Sequence, residues 1–373
     1  MRIDSIDLYF VENRFHRPWR TAYGSDPGNG VLMTCLRSGD HEGWSESSPL
    51  PGPTYCYEYG EGIYNVASKF FAPMVLGKNF DTAEELLAAM SSIKGNPFAK
   101  AGIEIAWWTL KADMEGLPLH KLLCPESTVT AVDEGPGFGV ADSLDDLIAE
   151  VGAALDSGAK RVKLKAMHGW DVNMVQAIRS TFPNGTFHID CNSSYSIDEV
   201  DVFRKLDKFG LSMIEQPFSP MDILDHAKLQ KMIDTPICLD ESITDPFVAR
   251  QALEIGACGF VNIKPARVGG LAHSLEINRL CKQAGVGCWV GGMMESDVGK
   301  GICVELAAMD NMVYPNDITP ETDNYPEPIA VRPLEHVAPW KLPVAQTPGT
   351  PIKPDMEKML AKTRLHCSLK AEG

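Results

Sequence analysis

Hydrophobic and polar positions repeat one order between residues 142 and 313: a polar helix cap, an apolar-periodic helix, a glycine and a short aliphatic run. The first copy reads ADSLDDLIAEVGAALDSGAKRVKLK, in which Ser143 can cap a helix and Gly158 can end it. Later helices are predicted to begin at Ser196 with Glu199, near Asp245-Pro246 and at Leu271, and to end before Gly210, Gly256 and Gly285. Strands are predicted at about 161–165, 186–190, 211–215, 236–240, 259–264 and 286–290.

Strands that alternate with single helices indicate parallel pairing, and their even spacing favours closure into a barrel. One further strand on each side, near 129–140 and near 312–314, completes eight. An open doubly wound sheet is the alternative, but it needs a glycine-rich phosphate turn, and no GxGxxG follows any predicted strand. We therefore expect an α/β fold built on a (β/α)7β TIM-like barrel.

The first 125 residues follow a different pattern. IDSIDLYFV and NGVLMTCLRS alternate as hairpin strands do, and AKAGIEIAWWTLKADMEG places Ala101, Ile105, Trp108 and Ala112 on one helix face. The proline-rich sequence after Asp317 fits an extended path over the surface. These patterns predict an α+β capping domain at 1–125, a modified TIM barrel at 126–320 and a C-terminal tail at 321–373 that returns to the cap.

The composition limits the kinds of molecule that this protein is expected to bind. The chain of 373 residues has 34 Lys+Arg and 50 Asp+Glu, a net charge of −16, which disfavours nucleic acid and anionic membranes and leaves small molecules or metals. The ten cysteines include no CxxC pair and are expected to be reduced thiols. The charged start MRIDSIDLYF is unlike a signal peptide, and no apolar run reaches about 20 residues, so we expect a cytoplasmic protein with no membrane partner.

The last residues of five predicted strands are Lys165, Asp190, Glu215, Asp240 and Lys264, at intervals of 25, 25, 25 and 24 residues. A constant interval of one βα unit places all five at the same height, at the mouth where barrel active sites lie. The three carboxylates come from adjacent strands, and the two lysines come from strands four apart, on opposite sides of the mouth.

Three converging carboxylates repel each other unless a cation holds them, and hard oxygen ligands suit Mg²⁺ better than zinc. Each carboxylate alone could instead be a solvated strand end or a helix cap. A metal between two lysines suits removal of the proton next to a carboxylate, because the metal stabilises the enediolate that forms. Lys165 is then a base, and the positive charge of Lys163, two residues earlier, is expected to lower the pKa of Lys165. Alternatively, Lys163 is a lysine that faces solvent.

Several motifs together resemble the muconate-lactonizing-enzyme subgroup of the enolase superfamily. They are VKLK at 162–165, DCN at 190–192, IEQPF at 214–218, ICLDES at 237–242 and NIKPARVGG at 262–270, with WSESSPLPG at 44–52 and AKAGIEIAWWTLKAD at 99–113 in the cap. The likeness is strongest to o-succinylbenzoate synthases and N-acylamino acid racemases. It implies a barrel with an α+β cap, a small carboxylate substrate and a homo-oligomer. It also implies residue roles: Asp190, Glu215 and Asp240 as ligands of Mg²⁺, with Mn²⁺ as a substitute, Lys165 as a base, Lys264 as second base or enolate-stabilising cation, and Asn192 and Glu241 as groups that orient the ligands.

Substrate choice in this family is made by cap loops and the last strands. The corresponding segments here are WRTAYGS at 19–25, PLPGPTYCYEYGEG at 49–62 and GGMMESDVGKG at 291–301, although the first two could be ordinary surface turns. Candidate substrate contacts are Arg20, Tyr23, Tyr55, Met293, Glu295 and Asp297. Related enzymes usually have glycine in place of Asp297, which either puts a negative charge at the pocket rim, against a succinyl-type substrate, or caps the next helix.

Four functions stay open. The first is dehydration of o-succinylbenzoate synthase type, with one base, Lys165. The second is racemisation of an N-acylamino acid such as an N-succinylamino acid, which needs Lys165 and Lys264 as bases on opposite faces. The third is cycloisomerisation of a muconate-like diacid. The fourth is a non-catalytic binding barrel, whose expected mark is a lost ligand or lysine, and none is lost.

Overall fold

The computed structural model describes residues 1–21, 24–139, 141 and 143–372, with backbone only at residues 20 and 21. The strands are β1 (Ser5–Thr21), β2 (Gly24–Ser38), β3 (His41–Ser47), β4 (Ala131–Asp133), β5 (Gly137–Phe138), β6 (Val162–Lys165), β7 (Phe187–Asp190), β8 (Ile214–Glu215), β9 (Ile237–Leu239), β10 (Phe260–Ile263), β11 (Gly287–Val290), β12 (Lys341–Pro343) and β13 (Thr363–Lys370).

The α-helices are α1 (Gly60–Val66), α2 (Ala72–Val75), α3 (Ala83–Ala89), α4 (Pro97–Glu115), α5 (Leu119–Leu123), α6 (Leu144–Asp156), α7 (Asp171–Thr181), α8 (Val200–Leu206), α9 (Ile223–Gln230), α10 (Pro246–Glu254), α11 (Leu271–Ala284), α12 (Asp297–Ala307), α13 (Glu321–Asn324) and α14 (Met356–Ala361). A π-helical turn, Ala67–Phe71, joins α1 to α2, and 3₁₀ turns flank α8 at Ile197–Glu199 and Asp207–Phe209. No helix in the described part of the chain is both long and apolar enough to cross a membrane.

The predicted helix signals are present at the residues that carry them. The side chain of Ser143 accepts a hydrogen bond from the backbone N–H of Asp146, and Asp245 caps α10 in the same way. Ser196 and Glu199 form the predicted capping box, although it opens a 3₁₀ turn rather than α8 directly. Gly285 ends α11 with a φ of +71°, a conformation that glycine adopts without a Cβ clash.

The capping domain is built on an antiparallel sheet in the order β13-β1-β2-β3. The predicted hairpin is β1 with β2, and the C-terminal strand pairs with the other edge of β1, from Ser5 opposite Lys370 to Val11 opposite Thr363. The cap therefore contains both ends of the chain, which confirms the predicted fold class. The domain boundaries at residues 125 and 320 stay predictions.

The barrel sheet contains β11-β10-β9-β8-β7-β6-β5, and each neighbouring pair is parallel. The two outer predictions need correction. The segment 129–140 divides into β4, which pairs with β12 outside the barrel, and β5, which joins it. In place of a strand at 312–314, two single parallel bridges, Met312 to Cys288 and Asn316 to Glu134, close the ring between β11 and β5.

Alternate residues of the barrel strands face the outer hydrophobic core and the barrel interior. The aliphatic set packs outward in the main hydrophobic core and comprises Leu164, Ile189, Ile214, Leu239 and Ile263. Inside the ring, Met213, Cys238, Trp289 and Tyr314 form a smaller apolar cluster. Because side chains of a strand alternate between its faces, the polar residues between these aliphatics are directed to the barrel interior.

Two buried carboxylates join the cap to the barrel. Glu104 of α4 accepts hydrogen bonds from the backbone N–H groups of Leu271 and Ala272 at 2.7 and 2.8 Å, and so caps the barrel helix α11. Glu46 of β3 accepts hydrogen bonds from the backbone N–H groups of Ser296 and Gly299 at 2.9 and 3.1 Å at the start of α12. Burial raises the pKa of Glu46 to about 8.

Candidate functional site

A cavity of about 280 Å³ lies where the carboxyl ends of the barrel strands meet the cap. The cap contributes Trp19, Leu50 and Tyr55 to its wall. The barrel contributes Gly137, Lys163, Lys165, Asp190, Asn192, Lys264, Gly292, Met293, Met294, Glu295, Lys300 and Asp317, and the next segment of the chain contributes Thr319, Asp323 and Asn324. This is the end of the barrel at which active sites of the fold are built.

The strand register explains why evenly spaced residues meet at this cavity. Lys165 pairs with Asp190, and Asp190 pairs with Glu215, so these three lie side by side. Glu215 pairs with Cys238, which pairs with Phe260, so Asp240 lies two residues farther along its strand and Lys264 four. A total of four residues over four strand steps matches the stagger of about one residue per strand in a barrel of eight strands and shear eight. The predicted common height therefore holds along the barrel axis, although the two later residues follow their strands rather than end them.

Lys163 lies beneath the carboxylates and holds them together. Its Nζ is 2.9 Å from Asp190 Oδ2, 3.1 Å from Glu215 Oε2 and 3.2 Å from Asp317 Oδ2. Burial opposes the charge of Lys163, but the three carboxylates outweigh it and raise its pKa well above the usual value. Lys163 is therefore neither a solvent-facing lysine nor the uncompensated cation that the sequence predicts beside Lys165.

Lys165 reaches the cavity from the same strand, β6. Its Nζ donates hydrogen bonds of 2.7 Å to Asp190 Oδ2 and to Asn192 Oδ1. Asn192 in turn donates from its Nδ2 to Glu241 Oε1 at 3.3 Å. Asn192 has a φ of +43°, a strained conformation of the kind that is retained at functional sites. Asn192 thus links the ammonium of Lys165 to Glu241, two residues that the sequence places in the same site.

The opposite side of the cavity is organised around Asp240, which is buried. Lys264 Nζ is 2.9 Å from Asp240 Oδ2, and the guanidinium of Arg267 pairs with Oδ1. Tyr55, from the second cap loop, donates a hydrogen bond of 3.0 Å to the same Oδ1. Gln216 accepts from the backbone N–H of Asp240 at 2.9 Å and so fixes the chain where it leaves β9. The cap loop and the barrel therefore meet on one carboxylate.

The carboxylates provide a donor set that fits a hard divalent cation. Asp190, Glu215 and Asp240 are buried, and Glu215 Oε2 and Asp240 Oδ2 are paired with the ammonium groups of Lys163 and Lys264. As they stand, no three or more His, Cys, Asp or Glu side chains in the described ranges are grouped so as to hold a metal ion. The contacts give the reason, because the ammonium of Lys163 lies between the first two carboxylates and that of Lys264 contacts the third. Carboxylate oxygens are the ligands that Mg²⁺ prefers, so the residues fit the ion once the ammonium groups give way.

Burial and charge act in opposite directions on these acids. Burial raises the pKa of Asp190, but Lys163 and Lys165 outweigh it and hold that pKa far below its usual range. Burial and the charge of Asp190 raise the pKa of Glu215, yet the net direction is down because of Lys163 and His188. Both carboxylates are thus kept ionised, which is the state that a metal ligand requires.

The predicted substrate contacts divide into three groups. Tyr55, Met293 and Glu295 line the cavity. Arg20 and Tyr23 lie outside the residues whose side chains the structure describes. Asp297 is fully buried, and its carboxylate accepts hydrogen bonds of 2.7 Å from the backbone N–H groups of Glu321 and Leu334. The expectation of a charge at the rim is therefore wrong, because Asp297 holds the C-terminal segment. It is not the helix cap either, since Ser296 caps α12.

Three residues of the site were not expected from the sequence: Arg267, Asp317 and Lys300. Arg267 belongs to the motif NIKPARVGG. It was missed because its burial, which marks it as part of the site, cannot be read from the sequence. Asp317 reaches Lys163 from 154 residues away, where the sequence indicates only a proline-rich tail. Lys300 follows Asp297 in the same segment and lines the cavity.

Family models match both parts of the chain. A model described as mandelate racemase / muconate lactonizing enzyme, N-terminal domain, matches residues 5–124, and one described as enolase C-terminal domain-like matches residues 146–358. Together they cover most of the chain.

Curated relatives and solved structures agree with these matches. The chain is 36% identical to an N-succinylamino acid racemase of Thermus thermophilus over 90% of both chains, and 34% identical to an o-succinylbenzoate synthase of Bacillus subtilis over 96% of both. A crystal structure of an enolase superfamily member from Listeria innocua superposes with a TM-score of 0.94 at 31% identity, over 99% of both chains. The chain therefore belongs to the muconate-lactonizing-enzyme subgroup of the enolase superfamily and is an enzyme.

Proposed function

We propose that this enzyme removes the proton next to the carboxylate of a small organic acid, with Mg²⁺ as its cofactor and Lys165 as the base. One observation carries the proposal: Lys165 and Lys264 enter the same cavity from strands four steps apart in the ring, with three buried carboxylates between them. An acid that lies between the two ammonium groups presents one face to each lysine.

Each residue has a physical role in this proposal. Asp190, Glu215 and Asp240 would hold the metal ion, with Mn²⁺ as a substitute. When bound, the ion supplies positive charge that makes the adjacent C–H bond more acidic. Asn192 and Asp190 orient Nζ of Lys165 toward the cavity through their 2.7 Å contacts. Lys264 then stabilises the negative charge that develops on the substrate, or returns a proton from the other side.

The product depends on the fate of the carbanion once the proton has left. We propose dehydration of the o-succinylbenzoate synthase type, in which Lys165 acts as base and Lys264 as the cation. Racemisation of an N-succinylamino acid is the second candidate. It is favoured by the position of Lys264, which lines the cavity as Lys165 does and could serve as a base for the opposite face. The Thermus relative is named for the racemisation, and the Bacillus relative is named for the dehydration.

An exchange experiment in D₂O tests the shared first step. The enzyme is incubated with Mg²⁺ and a panel containing single enantiomers of N-succinylamino acids and the hydroxycyclohexadiene carboxylate that loses water to give o-succinylbenzoate. Proton NMR follows loss of the α-proton, circular dichroism follows racemisation, and ultraviolet absorbance follows the aromatic product. We expect deuterium to enter, or water to leave, only when Mg²⁺ is present.

Variants assign the two lysines. Lys165→Ala should abolish dehydration, and in racemisation it should abolish exchange for the enantiomer whose α-proton faces Lys165. Lys264→Ala should affect the opposite enantiomer. Lys160→Ala is the control, since its ammonium is exposed and pairs with Asp133 at 2.8 Å outside the cavity. If no acid of the panel exchanges its α-proton or loses water, proton abstraction from these acids is not the activity of this enzyme.

A further inference from the structure

Lys300 is a buried cation of helix α12. It lies in the first turn of α12, only 3% of its surface is exposed, and its Nζ has no hydrogen-bond partner among the described residues. It also lines the substrate cavity. An ammonium group carries three donors, and burying it without partners is costly.

Its position on the helix adds to this cost. The backbone N–H groups of a helix N-terminus are electropositive, so a cation in the first turn is disfavoured there. Neighbouring acids offset the charge only at longer range, because backbone N–H groups hold them. Glu295 accepts from Met293 at 2.8 Å, and Glu321 accepts from Asp297 and Ile329 at 3.0 and 2.7 Å. None of these acids forms an ion pair with Lys300 in the described part of the chain.

The cavity itself is then the remaining place for a partner. Two cavity lysines belong to β6, and both form ion pairs with carboxylates of the chain. Lys163 pairs with three carboxylates, and Lys165 pairs with Asp190. Lys300 forms no such ion pair within the described residues, so its charge is available to a ligand. A group that satisfies three N–H donors and a positive charge is an anion with several acceptor oxygens, and a carboxylate has that chemistry.

We propose that Lys300 binds a second carboxylate of the substrate, distal to the one at the reaction centre. This inference rests on the proposed function and narrows it to dicarboxylates whose far arm ends in an anion, as a succinyl arm does. It applies to dehydration and racemisation alike, since both substrates carry that arm. Lys300 contributes to specificity and takes no part in the proton transfer.

The test uses two acids that differ only in charge at the far end of the arm: an N-succinylamino acid and the same compound with the terminal carboxylate converted to a carboxamide. Exchange of the α-proton is measured with Mg²⁺ for wild type, Lys300→Met and Lys300→Arg. For wild type, we expect kcat/KM to favour the carboxylate arm by about 10- to 100-fold, the range that one charge-assisted hydrogen bond supplies. Lys300→Met should lose that preference and leave turnover of the amide within about threefold, whereas Lys300→Arg should keep much of it.

Controls separate this role from a structural one. Lys358→Met removes an exposed lysine from the first turn of α14 and should leave the preference unchanged. Removing a buried, unpaired charge should not lower the unfolding temperature. If Lys300→Met does not fold, equal turnover of the two arms by wild type would still overturn the role of Lys300.

The outcomes are distinct. Equal turnover of the two arms by wild type, or an equal loss for both arms in Lys300→Met, overturns the role of Lys300 while the proposed function stands. Failure of wild type to exchange the α-proton of either acid overturns this inference, and the proposed function falls with it only if the hydroxycyclohexadiene carboxylate also loses no water.

Discussion

The ammonium of Lys163 contacts three carboxylates of this site, and Lys163→Met measures its electrostatic effect. The side chain is 5% exposed and lies 2.9 to 3.2 Å from three carboxylates. At an effective dielectric constant of about 20, each contact contributes about 5 to 6 kcal/mol of gross attraction, most of which offsets the cost of burying the charges. Removing only the cation leaves the carboxylates buried and short of positive charge. We expect the free energy of unfolding to fall by about 3 to 5 kcal/mol.

The assay is urea unfolding in EDTA and again with Mg²⁺. In EDTA the variant has Lys165 as the only remaining lysine beside Asp190 among the described residues, so the deficit should be largest there. With Mg²⁺ the deficit should shrink, because the ion should bind more tightly to the variant, whose carboxylates have lost the ammonium of Lys163, than to wild type. An ion at 100 times its Kd stabilises the folded state by about 2.7 kcal/mol, so a lower Kd in the variant gives it the larger gain. The deficit should also shrink as the pH falls below about 4. Lys163 lowers the pKa values of Asp190, Glu215 and Asp317 in wild type, so without it these groups take up protons at a higher pH, which relieves the repulsion in the variant.

Lys160→Met is the matched control. Its side chain is 55% exposed and pairs with Asp133 at 2.8 Å, and an exposed pair contributes about 0 to 1 kcal/mol. A change below about 1 kcal/mol in Lys163→Met, or a deficit that Mg²⁺ does not alter, would refute the view that Lys163 compensates the charge of the metal ligands.

The contacts support three further predictions. Asp240→Asn should abolish Mg²⁺-dependent turnover, because it removes an ionised ligand, and unchanged activity in the D₂O assay would contradict the metal assignment. Glu46 has a folded-state pKa of about 8 against a usual 4.5, so wild type should lose stability as pH rises from about 4.5 to 8, by at most about 1.4 kcal/mol per pH unit. Glu46→Gln should flatten that slope in urea midpoints at pH 5, 7 and 8.5, and an equal slope in both proteins would count against it. Gly270→Ala places a Cβ 2.1 Å from the carboxylate of Glu104 at a φ of +123°, so it should lower the free energy of unfolding by at least about 2 kcal/mol, whereas Gly52→Ala, with open space at its Cβ, should not. Equal urea midpoints for the two alanine variants would contradict the predicted clash.

The sequence predicted those parts of the molecule that depend on local pattern. The strand predicted at about 161–165 and the caps at Ser143 and Asp245 are encoded by neighbouring residues. The structure has the strand at Val162–Lys165 and both caps where expected. Even spacing also brought distant strand ends together, because each βα unit has nearly the same length. The register that pairs Glu215 with Cys238, two residues before Asp240, is a property of barrel stagger and could not be read from the interval alone.

The remainder depends on contacts between residues far apart in the chain. Asp297 looked like a rim charge because its partners, the backbone N–H groups of Glu321 and Leu334, come from the C-terminal segment. Lys300 carries no distinctive motif, and only its burial singles it out. The strand predicted near 312–314 is not present as a strand, because two isolated bridges between residues far apart in the chain complete the ring there.

The pairing of β1 with β13 has a consequence for how the protein acquires its structure during synthesis. Ser5 cannot meet Lys370 until residue 370 has emerged from the ribosome, whereas the barrel strands between them pair with near neighbours in sequence. Contacts across such a separation form slowly, so the barrel should be assembled while one edge of β1 still lacks its partner. A nascent chain at that stage exposes the unpaired edge of β1, which is open to pairing with another chain until β13 docks on it.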